Sequence, residues 1–458
     1  MFFKKSIATI LMVIILMNLT VRVQGYTLLS NDNNYKEKDI VTFSSSESTS
    51  KKLVLSHNNI TLASGQTIQI KAKIESEAKI TADKTKFIWK SDNSASVQVN
   101  SQGQIKAIKP NSKAVITVSS ADKKLITTCK VSVMSEQEAS SCVAIIDNVK
   151  VTKQEYMVFS RNQIALFLGE NSIVTQYDKF DWKHIKINGK VAKDLVKQAT
   201  LQNILGLKIE VIKAKEAGIK LTANDLTEIE KRINFMGSKE DSDALFNALY
   251  GVTFEEYKEI YKEVYLADKY VNSERNKITV SDNEVKKYYD ANKKAYDKVT
   301  VTHILIKTVD SNGVAFSKDK KSEAKKKAED LLAKVKAGED IKTLAQMYSE
   351  DPGVTENKGE YTFSKGEMVK EFEDWSFSHS VGDIGLVESV YGYHVMKLEK
   401  RVETPFDYIK SSIKYNLTES KFNTEFKKKM DSWKNEARFE ILINKKTIEK
   451  VDKSLYGA

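Results

Sequence analysis

Val299-Thr300-Val301-Thr302-His303-Ile304-Leu305-Ile306 is a run of β-branched and aliphatic residues interrupted by one histidine, and it decides how the middle of the chain is read. Such a run predicts a strand. After it comes a lysine-rich stretch in which Ala324, Ala328, Leu331, Leu332 and Val335 fall on one face of a helix that Gly338 ends. A second predicted helix carries Leu344, Ala345 and Tyr348. The segment continues through Tyr348-Ser349-Glu350-Asp351-Pro352-Gly353, Gly359-Glu360-Tyr361, Phe363 to Phe372, and Val390-Tyr391-Gly392-Tyr393-His394-Val395-Met396-Lys397-Leu398. The predicted order is a strand, helices, then two strands.

These residues resemble the parvulin family of peptidyl-prolyl isomerases. The histidine-isoleucine-leucine strand, the tyrosine-serine-acid-proline turn and the glycine-tyrosine-histidine strand are that family's signature, and the likeness covers residues 296–401. A lone strand histidine is more often a hydrogen-bonded core residue than a catalyst. Here two of the five histidines in the chain, His303 and His394, fall at signature positions. The resemblance implies an α+β domain in which His303, His394, Asp351 and Ser389 form the catalytic group. It implies that Met368 and Phe372 make the apolar floor receiving proline, with Tyr361 and Phe363 beside them. The family's glycine-aspartate-leucine-glycine run is here Gly359-Glu360-Tyr361-Thr362, and its glutamine before the methionine is Glu367. No metal or other cofactor is implied.

The chemistry suits these residue types. Rotation about X-Pro faces a barrier of roughly 18–20 kcal/mol from amide resonance, and no bond is made or broken. An apolar pocket that grips the ring, excludes water and presents a few oriented dipoles to the twisted amide is sufficient. Met368 and Phe372 would grip, while His303 and His394 would belong to an orienting hydrogen-bond network tuned by Asp351.

Helical patterns flank this segment. Thr152-Lys153-Gln154-Glu155 and Thr253 with Glu256 have capping-box spacing, Leu201, Leu205, Ile209 and Ile212 form a helical stripe, and Gly218 is a stop before a new start at Thr222 to Asp225. Beyond Thr404-Pro405, an apolar face runs through Ile409, Ile413, Leu417, Phe422, Phe426, Met430 and Trp433, with a predicted strand at Phe439 to Ile443. A long amphipathic helix needs a partner surface, so residues 140–295 and 402–458 are expected to pack as one discontinuous, mainly α-helical lobe. Helical arms around an inserted parvulin module resemble exported foldases of the PrsA and SurA kind, in which the arms form a chaperone lobe. That resemblance implies partly folded secreted polypeptides containing X-Pro bonds as partners.

Between residues 51 and 135 the period changes to short alternating runs, Val54 to Leu62, Thr67 to Ile74, Phe87 to Trp89, Val97 to Val99, Gln104 to Ile108, Ala114 to Val118 and Thr127 to Val133. Turn-separated runs of this length predict an all-β sandwich. Gly65, Trp89-Lys90-Ser91-Asp92, Val97-Gln98-Val99-Asn100 and Gly103-Gln104-Ile105 make it similar to a group 2 bacterial Ig-like domain, with Trp89 as the core aromatic. Ahead of it, residues 26–50 are polar and end rich in serine, which predicts a flexible spacer. Lys4 and Lys5 before an apolar run from Ile7 to Leu19, then Val23-Gln24-Gly25, predict a secretory signal over 1–25 and an extracytoplasmic chain without a lipid-modified cysteine.

With 458 residues, 29% charged and 41% hydrophobic, the composition fits a multidomain folded chain and excludes a polytopic membrane protein. The formal net charge of +11 comes from lysines interleaved with Glu and Asp, without an arginine cluster spaced by aromatics, which argues against nucleic acid. It leaves anionic cell-wall polymers as the partner of a rival reading, a surface-binding protein; a holdase without turnover is the other rival. The lysine run Lys318 to Lys327 reads as a solvated helix face. Cys129 and Cys142 could bond in an exporting compartment, or be two separate small apolar residues.

Overall fold

The computed structural model describes residues 51–75, 86–170, 179–234 and 238–457. The signal and spacer expected over 1–25 and 26–50 lie outside the described residues. The chain divides into two compact units, one taking the described residues up to Glu274 together with those from Thr424 onward, the other running from Arg275 to Asn423.

The first unit begins with nine short strands, β1 (Lys52–Leu55), β2 (Asn59–Leu62), β3 (Thr67–Gln69), β4 (Ala72–Glu75), β5 (Phe87–Ser91), β6 (Val97–Val99), β7 (Gln104–Ala107), β8 (Ser112–Ser120) and β9 (Ile126–Val133). They form sheets of order β2-β9-β8-β5 and β3-β7-β6 and a β1-β4 pair. Leu62, Ile105, Ile116, Val118 and Val131 from these sheets share one core, against which Trp89 packs. Gly103 has φ +82°, and a Cβ there would sit 2.6 Å from the Trp89 ring, so the indole fills the place of a side chain. Two sequence runs, Val54 to Leu62 and Thr67 to Ile74, each break into two strands. The Ser56 N–H bonds to the Lys71 carbonyl (2.8 Å) and the Lys71 N–H to Ser56 Oγ (3.0 Å) where both segments bend and exchange partners. Cys129 in β9 and Cys142 are separate, buried free thiols.

A helical part follows: α1 (Glu136–Ser141), the strands β10 (Cys142–Ile146) and β11 (Val149–Thr152), α2 (Lys153–Glu170), a small hairpin of β12 (Lys186–Ile187) and β13 (Lys190–Val191), α3 (Ala192–Glu216), α4 (Ala223–Ile233), α5 (Lys239–Tyr250) and α6 (Phe254–Arg275). The sheet of β10 and β11 is completed from the far end of the chain by the strand Leu442–Ile443, through Ala144↔Ile443 and Ile145↔Leu442. That strand is shorter than the expected Phe439 to Ile443, because Phe439 is buried within a 3-10 turn. It is followed by a helix, Lys445–Tyr456, that buries Ile448, Val451, Leu455 and Tyr456. The sandwich is tied to this sheet, since Gln66 Nε2 donates to the Ile443 carbonyl (2.8 Å) and Leu442 packs against the sandwich core.

The cap expected at Thr152 is half formed. The Glu155 N–H bonds to Thr152 Oγ1 (3.1 Å), but the Glu155 carboxylate turns inward to Lys208 Nζ (2.9 Å), which also meets Glu263 (2.5 Å). Lys208 and Glu155 are 1% and 3% exposed, so each charge depends on the other for the solvation it has lost.

In the second unit, α7 (Asp282–Asn292) leads into β14 (Lys298–Lys307), α8 (Lys318–Lys336), α9 (Ile341–Tyr348), α10 (Val354–Asn357), β15 (Glu360–Phe363), α11 (Lys370–Ser378), β16 (Ile384–Ser389), β17 (Gly392–Val402) and the start of α12 (Phe406–Lys434). Ser281 caps α7 reciprocally with Glu284, and Val285, Tyr289 and Ile413 bury the contact between α7 and α12. The sheet is antiparallel, of order β15-β14-β17-β16. On one face Ile304, Ile306, Tyr393 and Val395 meet the inner residues Ala324, Ala328, Leu331 and Val335 of α8 and Leu344 of α9. On the other face Val299, Val301, Met396 and Leu398 meet Phe363, Phe372 and Phe377.

One irregularity sets these faces. β14 pairs Thr300 with Lys400 but Val301 with Leu398, leaving Glu399 as an extra residue in β17. Because side chains alternate, a one-residue slip exchanges the faces of everything beyond it. The bulge therefore puts His394, opposite Leu305, on the same face as His303, opposite Met396.

Replacing Lys208 by methionine should lower the stability of the first unit by about 3 kcal/mol, because it strands the buried Glu155 carboxylate and takes the partner from the partly exposed Glu263. The unit holds Trp89, Trp182 and Trp433, so the tryptophan-fluorescence midpoint in urea is the readout; an unchanged midpoint would show the ion cluster to be idle.

Candidate active site

Where β15 stops pairing, the turn after α9 takes over the edge of β14. The His303 N–H bonds to the Gly359 carbonyl (2.8 Å), the Leu305 N–H to Ser349 Oγ (3.0 Å), the Glu350 N–H to the Leu305 carbonyl (2.8 Å) and the Lys307 N–H to Glu350 Oε2 (2.7 Å). This stitching brings Asp351 beside His303. Asp351 Oδ1 accepts the Gly353 N–H (2.8 Å) and the Tyr361 O–H (2.8 Å), and Oδ2 stands 3.6 Å from His303 Nε2. On the next strand, His394 Nδ1 lies 3.1 Å from His303 Nδ1, and His394 Nε2 lies 2.7 Å from Ser389 Oγ, which accepts the Tyr391 N–H (3.1 Å).

His303, His394, Asp351, Ser389 and Tyr361 are thus brought into one chain of polar contacts. The floor comes from α11 and the segment before it. Phe372 meets both imidazoles edge to face, 5.1 Å from His303 and 5.4 Å from His394 between ring centroids. Met368 and Tyr361 are half-buried and pack on the same apolar cluster. Phe363 is placed differently from the sequence expectation. It is 2% exposed and lies against Phe372 (5.7 Å) and Phe377 (6.0 Å), so it supports the floor from behind instead of lining it. Arg401 steadies α11 from β17 by donating to the carbonyls of Ser376 (3.0 Å) and His379 (2.9 Å), where a helix end favours positive charge.

Burial pushes both imidazoles below the ordinary histidine value. For His303, desolvation outweighs the opposing attraction of Asp351; for His394, desolvation and then His303 lower it, to about 3. Two uncharged rings carry one N–H each, which leaves two ways of ordering the chain. If His303 used its proton on His394, the bare lone pair of its Nε2 would face a carboxylate. The opposite order, with His394 Nδ1–H donating to His303 Nδ1, points the His303 Nε2–H at Asp351 and lets the Ser389 hydroxyl donate to His394 Nε2. The Asp351 charge favours this second order. At 3.6 Å the His303 to Asp351 contact is electrostatic, and Nε2 is buried without a hydrogen-bond acceptor.

Sequence reasoning named these side chains but not the roles of Ser349, Gly353 and the Tyr361 hydroxyl, which fix the Asp351 turn. The Tyr-Ser-Glu-Asp-Pro-Gly spacing carries the signal for Ser349, which bonds forward to the Asp351 N–H (3.3 Å). Nothing in the local sequence couples Tyr361 to Asp351. Among the described residues no group of three or more His, Cys, Asp or Glu is arranged to hold a metal ion, and no helix is long and apolar enough to cross a membrane.

Comparison with known proteins identifies the domain in which this site lies. Residues 285–401 match the PPIC-type peptidyl-prolyl isomerase domain. The foldase protein PrsA of Caldanaerobacter subterraneus subsp. tengcongensis is 31% identical over 306 residues, which cover 66% of this chain and 88% of that protein. The chain belongs to the PrsA foldase family. A foldase protein PrsA of Clostridium botulinum (strain Langeland) is 27% identical over 321 residues, with coverage of 66% and 88%. The crystal structure of peptidylprolyl isomerase PrsA from Bacillus cereus shares 24% identity, covering 60% of this chain and 99% of its own, with a TM-score of 0.32. This PrsA-family foldase is a peptidyl-prolyl cis–trans isomerase and a chaperone of secreted-protein folding.

The depressed imidazoles give the second unit a pH dependence. A histidine whose folded value lies below its unfolded value near 6.5 contributes its stability in full above about pH 6.5, and loses it as pH falls toward the folded value, when only the unfolded chain takes up the proton. Between about pH 7 and pH 4.5 the wild type should therefore lose on the order of 2 kcal/mol more than His394→Asn, as read by urea midpoints of the second unit. Equal losses would contradict buried, uncharged rings.

Proposed function

We propose that residues 296–401 catalyse rotation about X-Pro bonds with the proline ring seated on Met368, Phe372 and Tyr361, supported by Phe363, and that His303, His394, Asp351 and Ser389 orient the dipoles facing the twisted amide. The observation that carries this reading is the buried His303 to His394 contact (3.1 Å) lying directly on the Phe372 ring, with a hydroxyl at one end and a carboxylate at the other. An amide leaving planarity loses conjugation, and its carbonyl and nitrogen become ordinary polar groups. A dry apolar floor next to fixed, uncharged donors and acceptors favours that state over the planar one without transferring a proton.

Asp351 acts through the field it sets along the imidazole pair, and its Oδ1 is already occupied by two donors, which leaves it poorly placed as a nucleophile. Ser389 holds the far end of the network. Flanking this module in the sequence, residues 140–295 and 402–458 form the chaperone lobe that holds partly folded secreted chains, and residues 51–135 form a group 2 bacterial Ig-like domain fixed to that lobe. Residues 1–25 direct export, followed by a spacer over 26–50.

The test is protease-free exchange kinetics on short X-Pro peptides with the full chain. Met368→Ala should lower kcat/KM about tenfold and raise KM, while Asp351→Ala should lower kcat by about tenfold with KM little changed. Exchange that proceeds at the uncatalysed rate with the folded wild-type chain would leave a holdase in its place.

A further inference from the structure

The two oxygens of Asp351 have different surroundings. Oδ1 receives two donors at 2.8 Å, the Gly353 N–H and the Tyr361 hydroxyl, whereas Oδ2 is left to face His303 Nε2. The Tyr361 ring stands edge to face with His303, 5.4 Å between centroids at 62°, so the phenol reaches the carboxylate from the strand beside the imidazole. β15 holds it there, because Tyr361 pairs with Val301, two residues before His303 on β14. Its backbone is therefore fixed by the sheet rather than by a loop.

Two further groups keep the phenol in place. A Cβ on Gly353 would lie 2.5 Å from Tyr361 Oη, so the lack of a side chain at 353 is what leaves room for the hydroxyl. Asn357 also interacts with that oxygen through its side chain, and its own Oδ1 accepts the Gly359 N–H (2.8 Å). Burial first, and then the bond to Asp351, push the phenol above its ordinary value, which favours its O–H form as the donor to Asp351.

We infer that Tyr361 is a positioning residue of the isomerase site: its hydroxyl, given room by Gly353, holds the Asp351 carboxylate in the orientation that turns Oδ2 toward His303 Nε2 and so selects the Nε2–H tautomer of His303. This rests on the isomerase reading for its kinetic consequence but not for its structural one. Tyr361 does more than wall the pocket. A wall residue would act on substrate affinity, while this one acts on the proton order of the imidazole chain.

The experiment compares the full wild-type chain with Tyr361→Phe and Gly353→Ala by exchange kinetics on an X-Pro peptide and by ¹⁵N NMR of histidine-labelled protein, in which five imidazoles are to be assigned. Tyr361→Phe keeps the ring and loses the donor; Gly353→Ala keeps the donor and displaces it. Both should lower kcat by about fivefold with KM changed by less than about twofold, because the lost hydrogen bond acts on the rate only through the orientation of Asp351. In both, the His303 Nε2 signal should move away from its protonated position. Unchanged His303 signals would overturn the inference, whatever the kinetics. A rise in KM alone would also overturn it, since that is the behaviour of a wall. If the wild-type chain does not accelerate exchange, the isomerase reading fails separately, and the His303 signals alone decide the role of Tyr361: displaced signals support it and unchanged ones refute it.

Discussion

The register between β14 and β17 is the constraint on which the second unit depends. Side chains in a sheet alternate with a period of two, so two histidines on neighbouring strands meet only if the pairing has the right parity. Here the parity is set by one extra residue, Glu399, opposite the step from Thr300 to Val301. Without that bulge His394 would lie beside Ile304 and Ile306 under α8, and His303 would face Phe372 alone. With it, both rings share a face, and they must either pair with each other or be left buried and unsatisfied.

The electrostatics follow from that pairing. Two imidazoles buried side by side cannot both be charged, and desolvation favours having neither charged. The single carboxylate near them does not reverse this, because its Oδ1 is satisfied by Gly353 and Tyr361 and its Oδ2 stays 3.6 Å away. It can, however, choose which nitrogen carries the proton. An uncharged, ordered chain of polar groups beside an apolar floor suits a reaction whose barrier is amide conjugation rather than bond cleavage. The site and the chemistry match at this level.

Much of this was legible in the sequence because it is local. The strand around His303, the inner face of α8, the helix start at Thr222 and the turn at Ser349 are each set by residues within a few positions of one another. The structure also brings together most of the side chains that the signature groups, since a signature spread over three segments brings its own pairing. What remained hidden depends on distant partners. The bulge at Glu399 has no glycine or proline to mark it. Tyr361 and Phe363 look alike on paper, yet one turns its hydroxyl to Asp351 and the other is sealed under Phe372. Glu155 reads as a cap and is instead drawn inward by Lys208. The runs Val54 to Leu62 and Thr67 to Ile74 read as single strands because hydrophobic alternation continues through the point where each changes sheets. The last helix was missed although Ile448, Val451, Leu455 and Tyr456 mark its buried face, because the strand before it looked like a natural end.

The central claim is that the imidazole pair works as an uncharged, oriented network and not as a proton donor and acceptor. The dependence of kcat/KM for X-Pro exchange on pH tests it most directly, measured on the full chain in a range where it remains folded. The expected result is a flat profile from about pH 5.5 to pH 8.5, since neither ring titrates there and no proton is transferred. A profile that falls through an apparent pKa near 6.5 would contradict it and assign one histidine to acid–base catalysis.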